Sequence, residues 1–256
     1  MHVSDKRYFK EWLKQLKPLD PAALWSDFLA RDDLPPLTFS FEASAVYSSN
    51  IEGNSIDLDS FMNSKLDRRS RAFIAKERKE IESLVEAYQF AQKHVFSEKN
   101  LLKAHSILAE HLLPKAQQGK YRDQRMFVYS QQGIEYAAVE PEFVQQKMQE
   151  IFVDVRSLKR QAQDTASVFY YASLLHLVFV HIHPFQDGNG RAARLLEKWM
   201  LSSYLGKRAW QIPSEQYYKE HRAEYYKNIK IGLNYYELNY DLCVPFLTMI
   251  VRCLSK

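Results

Sequence analysis

The chain has 256 residues, 46% apolar and 26% charged, the balance of an ordinary globular protein that can bury a sizeable core without disulfide or metal staples. Its formal charge of +4 is small and its basic residues are spread, which argues against a nucleic-acid binder. The two cysteines, Cys243 and Cys253, lack metal-ligand spacing, no apolar run at the N-terminus resembles a signal peptide, and no stretch nears the roughly 20 apolar residues of a membrane span, so a cytoplasmic protein without nucleic-acid or membrane partners is expected, its oligomeric state left open.

From the N-terminus, Tyr8, Phe9, Trp12, Leu13 and Leu16 recur at helical spacing, and Pro35 and Pro36 punctuate the chain after them. Residues 1–36 therefore read as a helical extension packed on a main domain of residues 37–256. Ser48 and Glu52 share a helical face, and Gly53 suits the left-handed end of that helix. The basic group Lys65, Arg68, Arg69, Arg71, Lys76, Arg78 and Lys79 is interleaved with Asp67, Glu77, Glu80 and Glu82, as on a solvated helix face. Ile81, Leu84, Val85, Tyr88 and Ala91 mark a further amphipathic helix. The one clear β signal covers residues 126–138, where Val128, Tyr129, Ile134 and Tyr136 surround Gln131, Gln132 and Gly133 in a hairpin pattern. Residues 168–182 are apolar almost all round and predict the buried central helix of a bundle, and residues 191–205, with Leu195, Leu196, Trp199, Met200 and Leu201, predict its neighbour. The expected class is all-α, mainly helical, with one small β-hairpin.

Between those two apolar segments lie His183, Pro184, Phe185, Gln186, Asp187, Gly188, Asn189, Gly190, Arg191, Ala192, Ala193 and Arg194. Gly188 and Gly190 permit a backbone that turns successive N–H groups toward one anion, and the helix beginning there adds unpaired amides and its dipole. The result is a phosphate-sized nest. Arg191 and Arg194 lie on one helical face, from which both can reach the same phosphate chain. Asp187 is a hard oxygen ligand of the kind that holds Mg2+ against phosphate oxygens. His183 is the group here whose ordinary pKa suits proton removal near neutrality, which makes it the expected general base. Phe185 is expected to point into the core. Any single piece fits a tight turn or a core histidine; the combination in one short loop points to nucleotide chemistry. A zinc site of His176, His181 and His183 lacks an i, i+4 histidine pair and a nearby cysteine.

The same stretch matches every specified position of the Fic family motif HxFx(D/E)GNGRxxR. Gly119, Tyr121 and Arg122 ahead of the hairpin resemble the approach to that family's flap, and residues 213–226, with their paired tyrosines, resemble its C-terminal part. This resemblance covers about residues 38–250. It implies a helical Fic fold and an enzyme, a protein adenylyltransferase that moves AMP from ATP to a Ser, Thr or Tyr hydroxyl of a target protein. Transferred to this sequence, it implies that His183 deprotonates the hydroxyl and Asp187 holds Mg2+. Gly188, Asn189 and Gly190 would receive the phosphates, while Arg191 and Arg194 bind the triphosphate. His183, Asn189, Arg191 and Arg194 form the implied catalytic set. Relatives that act as kinases carry lysine in place of the second glycine, so Gly190 argues against that branch. The hairpin edge is expected to pair with an extended segment of the target protein. Tyr225 and Tyr226 are candidates for the adenine pocket or for packing.

Ser48, Ser49, Asn50, Ile51, Glu52 and Gly53 also resemble the family's inhibitory pattern (S/T)xxxE(G/N). That resemblance implies an inhibitory helix over about residues 40–53 whose Glu52 occupies Arg194 and keeps basal activity low. Two other activities stay open on sequence: removal of AMP from a modified protein at the same site, with Glu52 orienting water, and a catalytically idle binding module, against which the intact His183 speaks.

Overall fold

The most apolar segment of the chain lies deepest. The computed structural model describes residues 1–64, 72–130, 133–158 and 164–255; Lys65, Asp67, Arg68, Arg69, Arg71, Gln131 and Gln132 fall outside the described residues. In chain order the elements are α1 (Phe9–Leu16), α2 (Pro21–Leu29), α3 (Leu37–Ile51), α4 (Leu58–Ser64), α5 (Ala72–Lys93) and α6 (Glu98–Leu108). After them come β1 (Phe127–Ser130), β2 (Gly133–Ala137), α7 (Pro141–Leu158), α8 (Thr165–Ile182) and α9 (Asn189–Leu205). The chain closes with α10 (Ser214–Glu220), α11 (Arg222–Ile229) and α12 (Val244–Arg252). Every residue of α8 from Ser167 to Ile182 is buried, which explains why its sequence shows no polar face. By length and composition α8 could cross a membrane, but 89% of it lies inside the protein, as suits a core helix.

Around α8 pack α9, α12, α2, α7 and α1. The segment before Pro35 shares this core: Trp12 and Trp25 belong to it, and Trp12 donates its indole N–H to the Leu247 carbonyl at 2.9 Å. On the other side of α9, α3 packs against α5 and α10. There Lys198, almost fully buried, donates to Ser44 Oγ at 2.5 Å and pairs with Glu215 at 2.6 Å. A cation so buried needs both partners, and the pairing fixes α3 on α9.

The two strands pair antiparallel, Phe127 opposite Ala137, Val128 opposite Tyr136, Tyr129 opposite Ile134 and Ser130 opposite Gly133. The register slips between Val128 and Tyr129, so Glu135 is an extra residue that bends the ribbon. At its root the hairpin is tied down: Ala137 donates its N–H to Leu233 O at 3.0 Å, and Tyr136 donates its hydroxyl to His181 O at 2.6 Å.

Candidate functional site

The loop from α8 to α9 is built around a histidine in an uncommon backbone conformation. His183 caps α8 at φ 53 and ψ 58, the one non-glycine positive φ among the described residues. A left-handed non-glycine residue costs on the order of 1–3 kcal/mol and persists only where its neighbours over-determine it. Here Arg122 does so. Its Nε donates to His183 O at 2.8 Å, its NH2 to Val139 O at 2.5 Å, and its own backbone N–H to Pro184 O at 2.9 Å. One buried guanidinium thus joins the root of the hairpin to the loop that carries the histidine.

The ring of His183 has its Nδ1 3.1 Å from Val180 O, a carbonyl that can only accept. Nδ1 therefore carries the proton, and Nε2 is left bare, as a base requires. Burial holds the ring below its ordinary pKa of 6.5, against the pull of Val180 O. It is neutral, and so able to take a proton, at physiological pH.

Beyond it the loop is clipped from within. Asn189 accepts the Phe185 N–H and donates to the Phe185 carbonyl, both at 2.8 Å, so its side chain is fully used in holding the loop. Asn189 can therefore join the expected nest only through its backbone amide at the start of α9. Phe185 is fully buried and stacks on His105, the ring centroids 3.5 Å apart and 8° from parallel. His105 Nδ1 accepts the Gly119 N–H at 3.0 Å, so its proton is on Nε2, which donates to Asp187 O at 3.0 Å. Burial pushes the pKa of His105 down to about 4, and the ring acts as a neutral brace. Gly188 sits at φ 78, a backbone conformation that favours glycine, and a Cβ there would come within 2.9 Å of Leu108 Cδ1.

Asp187 is exposed; one carboxylate oxygen accepts the Gly188 N–H at 2.6 Å, and the other has no partner among the described residues. No group of three or more His, Cys, Asp or Glu side chains that could hold a metal occurs among the described residues. Asp187 fits Mg2+ only as one ligand beside phosphate oxygens, the usual arrangement for that ion. The zinc alternative fails on geometry, because both ring nitrogens of His181 are spent, on the Tyr240 hydroxyl at 3.0 Å and on Ile229 O at 2.9 Å.

The two arginines have different surroundings. Arg194 is 1% exposed; its Nε donates to Ser48 Oγ at 2.8 Å, its NH2 to Ser48 O at 3.0 Å and Glu52 Oε1 at 2.7 Å, and its NH1 to the Tyr225 hydroxyl at 3.1 Å. Arg191, 6% exposed, pairs with Glu80 of α5 at 3.4 Å, and its buried Nε has no partner among the described residues.

Glu52 caps the end of α3, followed by Gly53 at φ 102. Burial raises the carboxyl, but the charge and hydrogen bond of Arg194, with Arg191 and His183 behind it, bring it below its ordinary value of 4.5. The Glu52 side chain keeps 31% of its surface open, toward a cavity of about 660 Å³ lined also by Val128, Tyr136, His183, Gly190 and Tyr226. Neither Arg191 nor Arg194 lines that cavity; the carboxylate stands where Arg194 would face it. A Cβ on Gly190 would overlap Glu52 Oε1, so the glycine makes room for the glutamate.

Residues 95–201 match the model of the Fic/DOC family. Over that stretch the chain is similar to the Fic/DOC family. The protein adenylyltransferase Fic of Drosophila melanogaster is 36% identical over 101 residues, 40% of this chain and 18% of that protein, and its counterpart in Drosophila mojavensis is 38% identical over 86 residues, 34% and 15%. The chain thus spans less than a fifth of the length of these curated relatives. The fold also resembles the crystal structure of a Fic family protein from Desulfovibrio desulfuricans, with a TM-score of 0.70 at 20% identity over 96% of this chain and 69% of that one. It resembles Fic-1 of C. elegans too, with a TM-score of 0.64 at 18% identity over 99% and 70%.

Within residues 95–201, sequence reasoning brought together His183, Asp187, Gly188, Gly190, Arg191 and Arg194, and the structure sets them around one loop. It missed His105 and Glu80. The first is a lone histidine on the apolar face of α6 beside Leu101, Ala104 and Leu108; the second lay inside a charge run read as solvated. Both paired tyrosines line the cavity, but Tyr225 is 1% exposed and bonded to Arg194, whereas Tyr226 is 41% exposed and donates its hydroxyl to Ile51 O at 3.1 Å.

Proposed function

We propose that this protein is an autoinhibited adenylyltransferase that moves AMP from ATP to a Ser, Thr or Tyr hydroxyl of a target protein. The observation that carries the reading is a bare histidine nitrogen at the rim of a glycine-built nest whose inner arginine is held by a carboxylate from a separate helix. In this reading His183 Nε2 takes the hydroxyl proton as the oxygen forms its bond to the α-phosphorus. The bond from that phosphorus to the bridging oxygen breaks, and pyrophosphate leaves with the electron pair. The amides that open α9 and the guanidiniums of Arg191 and Arg194 stabilise the negative charge that develops. Mg2+, held by Asp187 together with phosphate oxygens, would supply further charge neutralisation. A target segment would pair with the hairpin, beside the cavity that Val128 and Tyr136 line.

With Glu52 on Arg194, the outer phosphates lack their inner cation and ATP cannot settle in line. Removing a charge-assisted hydrogen bond of this kind should raise AMP incorporation roughly ten- to a hundredfold in Glu52→Gly. Labelled ATP with mass spectrometry of the products measures this, and His183→Ala in the same background should lower the rate by about 10²- to 10⁴-fold. Absence of an added AMP mass on any protein in the Glu52→Gly sample would rule the activity out.

A second reading has its own support, since the Glu52 carboxylate and His183 line one cavity and could hold a water between them. The reaction would then be hydrolysis of AMP from a modified protein. It predicts AMP release from an AMPylated target that is lost, not gained, in Glu52→Gly.

A further inference from the structure

Behind Arg194 runs a line of polar groups that no step above uses. Arg194 NH1 donates to the Tyr225 hydroxyl, which stands 3.0 Å from His176 Nε2, while His176 Nδ1 lies 3.3 Å from Glu197 Oε2. The carboxylate of Glu197 in turn accepts the Tyr218 hydroxyl at 2.9 and 3.0 Å. Tyr225 is 1% exposed and His176, Glu197 and Tyr218 are at 0%. A core position needs no such groups, and apolar side chains of similar volume would generally be less costly there.

The donors fix the direction of the line. A guanidinium cannot accept, so the Tyr225 hydroxyl must take its bond from Arg194 and give its own proton to His176 Nε2. With one ring proton, His176 carries it on Nδ1, aimed at the Glu197 carboxylate; that contact is off-axis for a hydrogen bond, and Nδ1 has no other partner among the described residues. The ring is fixed edge-on against Phe246, 5.0 Å away at 86°. Glu197 and Arg194, three residues apart, share a face of α9, with α8 supplying His176 and α11 supplying Tyr225.

What this line does follows from where the partners of Arg194 reside. Ser48 Oγ, Ser48 O and Glu52 Oε1 all belong to the end of α3. Only Tyr225 does not. Whatever draws Glu52 out of the site disturbs the α3 contacts together and leaves Tyr225 as the anchor.

We propose that Glu197, His176 and Tyr225 form a positioning relay that keeps the Arg194 guanidinium aimed at the outer phosphates of a bound nucleoside triphosphate once Glu52 has withdrawn. The inference rests on the nucleotide reading of the preceding section and assigns three residues to it. His176 and Glu197 lie outside the cavity lining, and the Tyr225 hydroxyl, though its ring reaches the cavity, is spent on Arg194 and His176. The effect of the relay must therefore appear through Arg194, and must be larger in the released protein than in the inhibited one.

Calorimetric titration of Glu52→Gly and of Glu52→Gly/Tyr225→Phe, each with Mg·ATP and with AMP, tests this. Loss of the hydroxyl should weaken ATP about tenfold and leave AMP, which lacks the outer phosphates, unchanged. In the wild-type background, where α3 still grips Arg194, the same substitution should have a smaller effect. Unaltered ATP affinity, or ATP and AMP weakened alike, would overturn the relay. A second measurement needs no variant: the ring 15N spectrum of His176 in the intact protein should show Nδ1 protonated and Nε2 bare, and the opposite tautomer contradicts the proposal. Should Glu52→Gly bind no ATP, the nucleotide reading fails instead, and the tautomer still decides whether the line runs as described.

Discussion

Arg191 and Arg194 lie three residues apart on one helix, both more than nine-tenths buried, yet one is saturated and the other almost bare. Arg194 has four hydrogen bonds from two directions, while Arg191 has one long contact to Glu80 and an orphaned Nε. Their acidic partners show the same contrast. The Glu52 carboxyl lies below its ordinary value because Arg194 outweighs burial, whereas burial raises that of Glu80 and Arg191 only partly offsets it. Under the proposed function, the difference means that an arginine with spare donors is ready for a phosphate, and one whose donors are spent must first be released. On this account inhibition acts on one of two cations, not on the whole site.

The sharpest way to break the contrast is to truncate each arginine and measure unfolding. Arg194→Ala strips partners from Glu52, Ser48 and Tyr225 and should cost about 3–5 kcal/mol, as expected when one member of a buried pair is removed. Arg191→Ala should cost about 1 kcal/mol, since its single contact is slack. Equal losses in denaturant titrations would mean that the two sites are equivalent. A smaller effect is expected at Glu80: Glu80→Gln should change Mg·ATP affinity in the Glu52→Gly background by only about two- to fivefold. A larger change would make Glu80 a brake comparable to Glu52.

The subtlest effect is on titration. Carboxyl 13C resonances should place the midpoint of Glu52 below 4.5 and that of Glu80 above it. The sign then differs for the two. Glu52, depressed on folding, contributes stability that is present above its unfolded value and lost only as pH falls through its lower folded one. Glu80, raised on folding, is protonated first on acidification, and its protonation relaxes the hold on Arg191 while the Glu52–Arg194 pair is still charged. Acid should therefore not open the brake before it loosens Glu80, and reversed midpoints would undo this ordering.

The central helices and their loop were legible because the signals are local: an all-round apolar run, scarce glycines and a dense string of charged groups fall within neighbouring residues. The spacing of Ser48 and Glu52 placed both on one helical face, but the contact of Glu52 with Arg194 was implied by the family resemblance alone. The supports of the loop were not legible. His105 meets Asp187, Arg122 meets His183 and Glu80 meets Arg191 across 82, 61 and 111 residues, and nothing in the local pattern of either partner announces the other. Tyr225 could not be told from its neighbour Tyr226 until the fold buried the first against Arg194 and left the second 41% exposed. The two arginines shared a helical face as expected, but a shared face could not reveal that α5 and α3 compete for them with opposite success.

The account rests on Glu52 acting through Arg194, and a double-mutant cycle on Mg·ATP affinity tests that link directly. Glu52→Gly should tighten ATP at least about tenfold when Arg194 is present and leave it unchanged in an Arg194→Ala protein. The same tightening in both backgrounds would contradict the account, because the glutamate would then be excluding the nucleotide without the arginine.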